Sequence, residues 1–155
     1  TLSFDTAFHE VICACSKVPR PGQEGTWITG DMVEAYTRMH EMGYAHSLEV
    51  WDGDELGGGL YGISMGRCFF GESMFTKISN CSKVALIYLT KTLDAADFYF
   101  IDSQVANPHM AGLGAVDIPR EQYLRLLDKG LKYPTLNGRW TNLFPKRKTS
   151  EILKL

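Results

Sequence analysis

Two polar side chains close an otherwise apolar run. In Phe98-Tyr99-Phe100-Ile101-Asp102-Ser103-Gln104-Val105 the aromatic and β-branched composition predicts a buried strand over 98–105. Strand side chains alternate, so Asp102 and Gln104 share one face, behind Phe98 and Phe100. A carboxylate and a carboxamide at the polar end of such a strand either bond each other in the interior or face a substrate together. A neutral carboxamide is a very weak base, so chemistry here rests on positioning or on Asp102. Glu72, between Gly71 and Ser73 just after a predicted strand, is a second candidate. It is either a turn glutamate bonding nearby backbone N–H groups or a buried carboxylate that needs a cationic or hydrogen-bonding partner.

Other chemistries find little support. His9, His40, His46 and His109 are scattered, and His40-Glu41 opens an H-E-x-x-H pattern that fails at Tyr44. The cysteines, Cys13, Cys15, Cys68 and Cys81, match no zinc spacing. No metal site and no cofactor are expected. A Cys–His nucleophile stays open, although no cysteine has a recognised local signature. Gly57-Gly58-Gly59 has no following Lys-Ser/Thr and reads as backbone packing or a bulge rather than a phosphate loop.

The elements that must position these groups can be read from spacing. Residues 2–4 form a short strand, and Asp5 is the N-cap of a helix over 6–16 with Phe8, Val11, Ile12 and Cys15 on one face. Ser16–Gly25 is a loop. A second helix starts at Thr29–Asp31 and runs to Met42, with a Met32, Val33, Tyr36, Met39 stripe and Gly43 as its stop. Strands over 46–51, 56–65 and 67–70 make an antiparallel meander. Residues 80–93 return to helical period with Val84, Ile87 and Tyr88 inward. A short helix at 108–114 follows the 98–105 strand. Pro119 then opens a last helix to Leu131 with Tyr123, Leu124 and Leu127 inward. The remainder is irregular.

The chain has 155 residues, 45% of them hydrophobic and 22% charged, which describes one globular domain. No apolar run approaches the ~18 residues of a membrane helix, and the N-terminus lacks the shape of a signal peptide. With cysteines read as reduced and mostly buried, a cytoplasmic protein is expected. The net charge of −2 is unevenly spread. Residues 129–155 hold Lys129, Lys132, Arg139, Lys146, Arg147, Lys148 and Lys154 against Glu151 alone. That end suits an anionic partner or is a solvated tail, and for Lys146-Arg147-Lys148 a mobile charged tail is the simpler reading.

Helix, helix, meander, helix, strand and helix in that order describe an α+β sheet domain. The arrangement resembles the GNAT acyltransferase fold, a central, mostly antiparallel sheet flanked by helices. The strand-to-helix passage Val105-Ala106-Asn107-Pro108-His109-Met110-Ala111-Gly112-Leu113-Gly114 adds to the likeness. Acetyltransferases of that fold cradle the CoA pyrophosphate with a glycine-rich loop before the central helix. Here the position reads Phe75-Thr76-Lys77-Ile78-Ser79-Asn80-Cys81-Ser82-Lys83 and contains no glycine. An acyl-CoA donor is therefore disfavoured.

Five segments carry a closer likeness: Gly25-Thr26-Trp27-Ile28-Thr29, Tyr44-Ala45-His46-Ser47-Leu48-Glu49-Val50-Trp51, Gly58-Gly59-Leu60-Tyr61-Gly62, Gly71-Glu72-Ser73-Met74-Phe75 and Ile101-Asp102-Ser103-Gln104. In this order they resemble leucyl/phenylalanyl-tRNA–protein transferases over about residues 1–130. The resemblance implies a GNAT-like enzyme without CoA. Such an enzyme moves Leu or Phe, less readily Met, from aminoacyl-tRNA to the α-amine of proteins beginning with Arg or Lys and so marks them for degradation. Residues 1–131 would be the catalytic domain and 132–155 its basic C-terminal extension, where the family pattern is left. Family members carry a further, smaller N-terminal domain. This sequence begins after it, at Thr1 rather than a Met.

The resemblance also implies roles. Gln104 contacts the attacking α-amine, and Asp102 polarises it or relays its proton. Glu72 lines the donor site and holds the aminoacyl amine. Leu60, Phe69, Leu86 and Leu89 form the apolar pocket for the donor side chain, although as a sequence reading Leu86 and Leu89 are equally core residues. Such a pocket discriminates by only ~1–3 kcal/mol per methylene, which fits relaxed choice among Leu, Phe and Met. Trp27 is a stacking platform for the 3′ adenosine, worth ~1–3 kcal/mol per base. Tyr36 either joins it or packs in the core with its hydroxyl at the site edge. Trp51 is structural. An acetyltransferase with an unusual CoA grip and a non-catalytic module that captures N-terminal Arg or Lys are the competing readings.

Overall fold

The structure is a computed structural model and describes residues 1–18 and 25–152, apart from the Ile152 side chain. Residues 19–24 of the expected 16–25 loop, and Lys154, lie outside the described residues. The elements are β1 (Leu2–Phe4), α1 (Phe8–Ser16), α2 (Gly30–Glu41), β2 (Ala45–Asp52), β3 (Glu55–Met65), β4 (Cys68–Thr76), α3 (Cys81–Asp94), β5 (Phe100–Asp102), α4 (Pro108–Ala111), α5 (Arg120–Leu131) and α6 (Thr149–Ile152). The five strands lie in sequence order, antiparallel except for the parallel β4–β5 pair. The result is an α+β domain with a mostly antiparallel sheet and helices on both faces. Among the described residues no helix is long and apolar enough to cross a membrane.

Strand alternation sorts the core into two layers. Leu60 joins Leu48, Leu86, Leu89 and Leu93 on the α3 face, whereas its neighbour Tyr61 joins Phe8, Val11, Ile12 and Phe75 on the α1 face. The glycines of β3 make close approach possible. A Cβ at Gly58 would meet Cys81 at the start of α3, and one at Gly62 would collide with the Phe70 carbonyl and the Phe69 ring. Gly57 itself is the extra residue of a β-bulge, since Val50 pairs with Gly58 and Trp51 with Leu56.

Several expectations need correction. Asp5 is not the N-cap of α1; Ala7 holds that place without a side-chain bond. Asp5 instead adopts a left-handed backbone (φ 55). Its buried carboxylate accepts from Ser47 N (3.0 Å), Trp140 N (2.7 Å) and His46 Nδ1 (2.9 Å). Ile87 and Leu124 face solvent rather than the interior. β4 continues to Thr76, well past the expected end at 70, because it pairs with β3 throughout. The Thr29 cap of α2 is present, accepting from Met32 N.

The C-terminal segment is part of the core. Trp140 is fully buried, stacked on His46 (3.9 Å between ring centroids, 11°) and ringed by Phe4, Phe69, Phe98 and Phe144. Arg147 is not in a free tail. Its backbone exchanges hydrogen bonds with Leu2 at 2.7 and 3.0 Å, extending the sheet edge.

Arg139 donates to His40 Nε2 (2.7 Å), while His40 Nδ1 faces the Ala45 carbonyl (2.8 Å). A guanidinium only donates and a carbonyl only accepts, so these partners assign the neutral, Nδ1-protonated imidazole. Burial pushes His40 below its ordinary value, against the smaller opposing pull of the Ala45 carbonyl and Asp5.

Two outcomes follow for stability. Trp140→Ala removes the largest fully buried side chain and should cost about 3–5 kcal/mol. In calorimetry that is a fall in Tm of roughly 6–20 °C. For His40, acidification protonates the unfolded chain first, through the ordinary value of 6.5, so the fold loses stability until His40 itself titrates. Glu49 and Glu72, both raised above 4.5 chiefly by burial, act in the opposite sense at lower pH. The histidine effect is therefore read as a difference: the Tm advantage of the parent over His40→Gln should shrink from about pH 7.5 to about pH 5.5.

Candidate active site

The sheet opens where β4 and β5 part. β5 pairs with β4 only across Cys68–Phe70, opposite Phe100–Asp102, and β4 then continues to Thr76 with β3 alone beside it. Glu72 stands on one side of this opening and Asp102 on the other.

Glu72 occupies a β-bulge. Tyr61 pairs with Ser73 and Gly62 with Gly71, which leaves Glu72 as the extra residue of β4. A bulge re-aims one side chain without ending the ladder. The bareness of Gly62 lets the Phe70 carbonyl close in at this point. Glu72 is half-buried and accepts from the Tyr36 phenol of α2. Burial pushes its carboxyl above the ordinary value; the Tyr36 bond opposes that, and the charge of Asp102 adds to it. Tyr36 is raised in turn by burial and then by Glu72. The charge of Asp102 is thus felt at Glu72 across the opening.

Asp102 is the last residue of β5. Its Oδ1 accepts from Gln104 N at 2.7 Å, closing an Asx turn, and its Oδ2 accepts from Tyr123 OH at 2.9 Å. This turn overturns the expected strand to 105. The carboxylate captures the amide two residues on, and Gln104 takes a left-handed backbone (φ 58). Asp102 and Gln104 are thus brought together by a turn, not by the alternation of a strand. Gln104 is exposed, and its Nε2 donates to the Asp102 carbonyl at 3.1 Å. The carboxamide oxygen is the acceptor it can offer a ligand.

Both groups border a cleft of about 1150 Å³ between α3, β5 and α5, whose walls include Leu86, Phe100, Asp102, Gln104, Met110 and Tyr123. Of the expected apolar pocket, Leu86 reaches this cleft. Leu60, Phe69 and Leu89 are buried in the main core and are not among its walls. Trp27 is exposed just ahead of α2, apart from the cleft walls, while Tyr36 on the same helix bonds Glu72 and packs edge-on against Tyr61 (5.4 Å). Tyr123 was legible only as an inward helical position. Nothing in its spacing announces that its hydroxyl reaches Asp102.

A cysteine nucleophile finds no place here, since none of the four cysteines borders the cleft. Cys13 and His9 do meet, at 3.5 Å, but on α1. Burial pushes the Cys68 thiol up to about 11. Among the described residues no group of three or more His, Cys, Asp or Glu could hold a metal ion. The segment before α3 is tied back to the glycine-rich strand. Its Lys77 and Ile78 amides both donate to the Gly57 carbonyl, at 2.8 and 2.9 Å, so they are spent inside the fold.

Residues 1–128 match the sequence profile of the family described as leucyl/phenylalanyl-tRNA protein transferase. The leucyl/phenylalanyl-tRNA–protein transferase of Syntrophus aciditrophicus is 54% identical over 140 residues, covering 90% of this chain and 59% of that protein. The namesake from Thermodesulfovibrio yellowstonii is 49% identical, covering 99% and 63%. That from Xanthomonas axonopodis pv. citri is 48% identical, covering 98% and 61%. The chain therefore spans about three fifths of the length of these relatives. It belongs to the leucyl/phenylalanyl-tRNA protein transferase family.

Proposed function

We propose that this chain carries out aminoacyl transfer, moving Leu or Phe, and Met less readily, from aminoacyl-tRNA to the N-terminal α-amine of proteins that begin with Arg or Lys. The observation that carries this reading is the pair of half-buried carboxylates, Glu72 and Asp102, each bonded by a tyrosine hydroxyl, on the two sides of the β4–β5 opening. Like charges in a half-buried site are costly unless a cation joins them. Both substrates bring amines, and the acceptor brings a second cation on its side chain.

In this mechanism the neutral α-amine attacks the ester carbonyl of the donor. The C–N bond forms, the C–O bond to the 3′ ribose breaks, and the amine proton passes by way of Asp102 toward the departing oxygen. An α-amine has a pKa near ~8, so a substantial neutral fraction exists at neutral pH, and no strong base is required. The Gln104 carboxamide oxygen accepts from the incoming amine and aims it. Glu72 holds the donor's ammonium. Leu86, with Leu60, Phe69 and Leu89 behind it, receives the donor side chain. Trp27 and Tyr36 border the 3′ adenosine.

The same reading gives a GNAT-like fold, supported by the meander, the parallel β5 and its divergence from β4. It also gives a catalytic domain at 1–131 with 132–155 as its C-terminal extension, and a cytoplasmic setting, where aminoacyl-tRNA is found. The committed Lys77 and Ile78 amides argue against acyl-CoA as donor.

The test is mass-spectrometric detection of one added Phe on a peptide beginning with Arg, from Phe-tRNA and separately from phenylalanyl-adenosine. Transfer is expected at least from the minimal donor. No transfer from either, with the peptide still bound, overturns the proposal in favour of a capture module. Acetyl-CoA binding seen by calorimetry would favour an acetyltransferase.

Asp102→Ala should cut transfer by orders of magnitude while the chain still folds cooperatively, its Tm lowered by no more than the two hydrogen bonds lost. Glu72→Gln should raise KM for the donor about tenfold or more, the worth of a charged hydrogen bond. It should also abolish the preference for phenylalanyl-adenosine over its N-acetyl form. Competition between the two donors checks this.

A further inference from the structure

Asp102 is held at both oxygens, and the two bonds have different origins. The Gln104 amide is local, two residues away, and belongs to the turn that ends β5. The Tyr123 hydroxyl comes from α5, 21 residues on. The Tyr123 ring also packs against Phe100 at 5.3 Å between centroids. Phe100 and Asp102 lie two apart on β5 and so share a face. One side chain therefore meets both: the ring rests on the aromatic residue, and this seats the hydroxyl on the carboxylate. Burial, and then the bond and charge of Asp102, push the Tyr123 phenol up to about 12, so it remains a donor at any working pH.

We propose that Tyr123 is a positioning residue for the transfer reaction, fixing the Asp102 carboxylate opposite Glu72. The inference rests on the aminoacyl-transfer reading. The torsion that turns a carboxylate about its last bond is soft. With the Gln104 amide alone, Asp102 swings about that bond, and the turn that carries Gln104 swings with it. The phenol removes that freedom. It also places the positive end of a dipole against one of two neighbouring anions, which offsets the repulsion from Glu72. Because the ring is seated on Phe100, removal of the oxygen alone leaves the packing intact.

The experiment is a double-mutant cycle read by single-turnover transfer from phenylalanyl-adenosine to a peptide beginning with Arg. The parent, Tyr123→Phe, Asp102→Asn and the double variant are compared, with Tm measured for each. The expected result for Tyr123→Phe is a fall in the transfer rate of about ten- to a hundredfold. Half-saturating concentrations of both substrates should stay within about twofold of the parent. In the Asp102→Asn background the same substitution should cost nothing further, because a residue that acts through Asp102 has nothing left to act on.

A Tyr123→Phe rate within about twofold of the parent overturns the inference while the transfer reading stands. So does a double variant that loses the product of the two single losses, which would mean that Tyr123 acts independently of Asp102. A parent that fails to transfer overturns the transfer reading itself, and this inference with it.

Discussion

The buried Asp5 carboxylate is the constraint on which the rest of the fold hangs. An ion taken out of water must be met by donors, or its burial costs several kcal/mol. Asp5 meets three, and they come from different places: Ser47 N and the His46 ring on β2, and Trp140 N near the far end of the chain. Its carbonyl accepts from Arg139 as well, at 3.4 Å. To reach them Asp5 adopts a left-handed backbone, which turns the chain from β1 toward α1. Trp140 is thereby seated on His46, and the aromatic cluster of the α3 face closes over it. Next door Glu49, fully buried, accepts from the hydroxyls of Ser3, Thr6 and Ser47, and Ser3 accepts in turn from Trp51 Nε1. This polar seam joins β1 to β2 at their side chains. From β2 the register passes through β3 to β4 and decides where the bulge at Glu72 falls.

What could be read in advance was what local sequence determines. The α2 stripe, its Thr29 cap and the meander depend on spacing within one element, and all three are present. So is the packing of the glycine triplet, because a missing side chain in a strand already announces a close neighbour. Asp102 stood out as the polar end of an apolar run and Glu72 through the family resemblance, and both border the opening. The misreadings share a cause. Asp5 has the composition of an N-cap, but its partners lie 42 and 135 residues away. Gln104 follows strand-like residues, yet one hydrogen bond from Asp102 outweighs strand propensity and ends the element. Trp140 sits among Gly, Asn, Thr and Pro residues that read as irregular chain. Its burial is settled by a cavity that other elements create.

The site shows how sheet geometry makes a polar opening without a separate domain. A parallel strand that pairs across only three residues must leave its neighbour, and a bulge on that neighbour twists it further. The two effects coincide at Gly71-Glu72 and Asp102-Ser103. Each carboxylate is then bonded by a tyrosine from a helix on its own side, Tyr36 from α2 and Tyr123 from α5. A phenol suits this task because it donates one hydrogen bond and brings no cation. An arginine or lysine in its place would neutralise the carboxylate and cancel its attraction for a substrate amine. The pair therefore stays electronegative and orderly at once.

That combination bears on the chemistry. Aminolysis of an activated ester runs downhill, so the proposed reaction needs an amine held still and partly desolvated more than it needs a strong base. In the proposed reaction a carboxylate pair would draw the ammonium form in, yet only the neutral amine attacks. Glu72 is raised by burial and by the charge of Asp102, and Asp102 is held by a neutral phenol that brings no cation of its own. The exposed Gln104 carboxamide, neutral at every pH, would in the proposed reaction aim the nucleophile without adding charge.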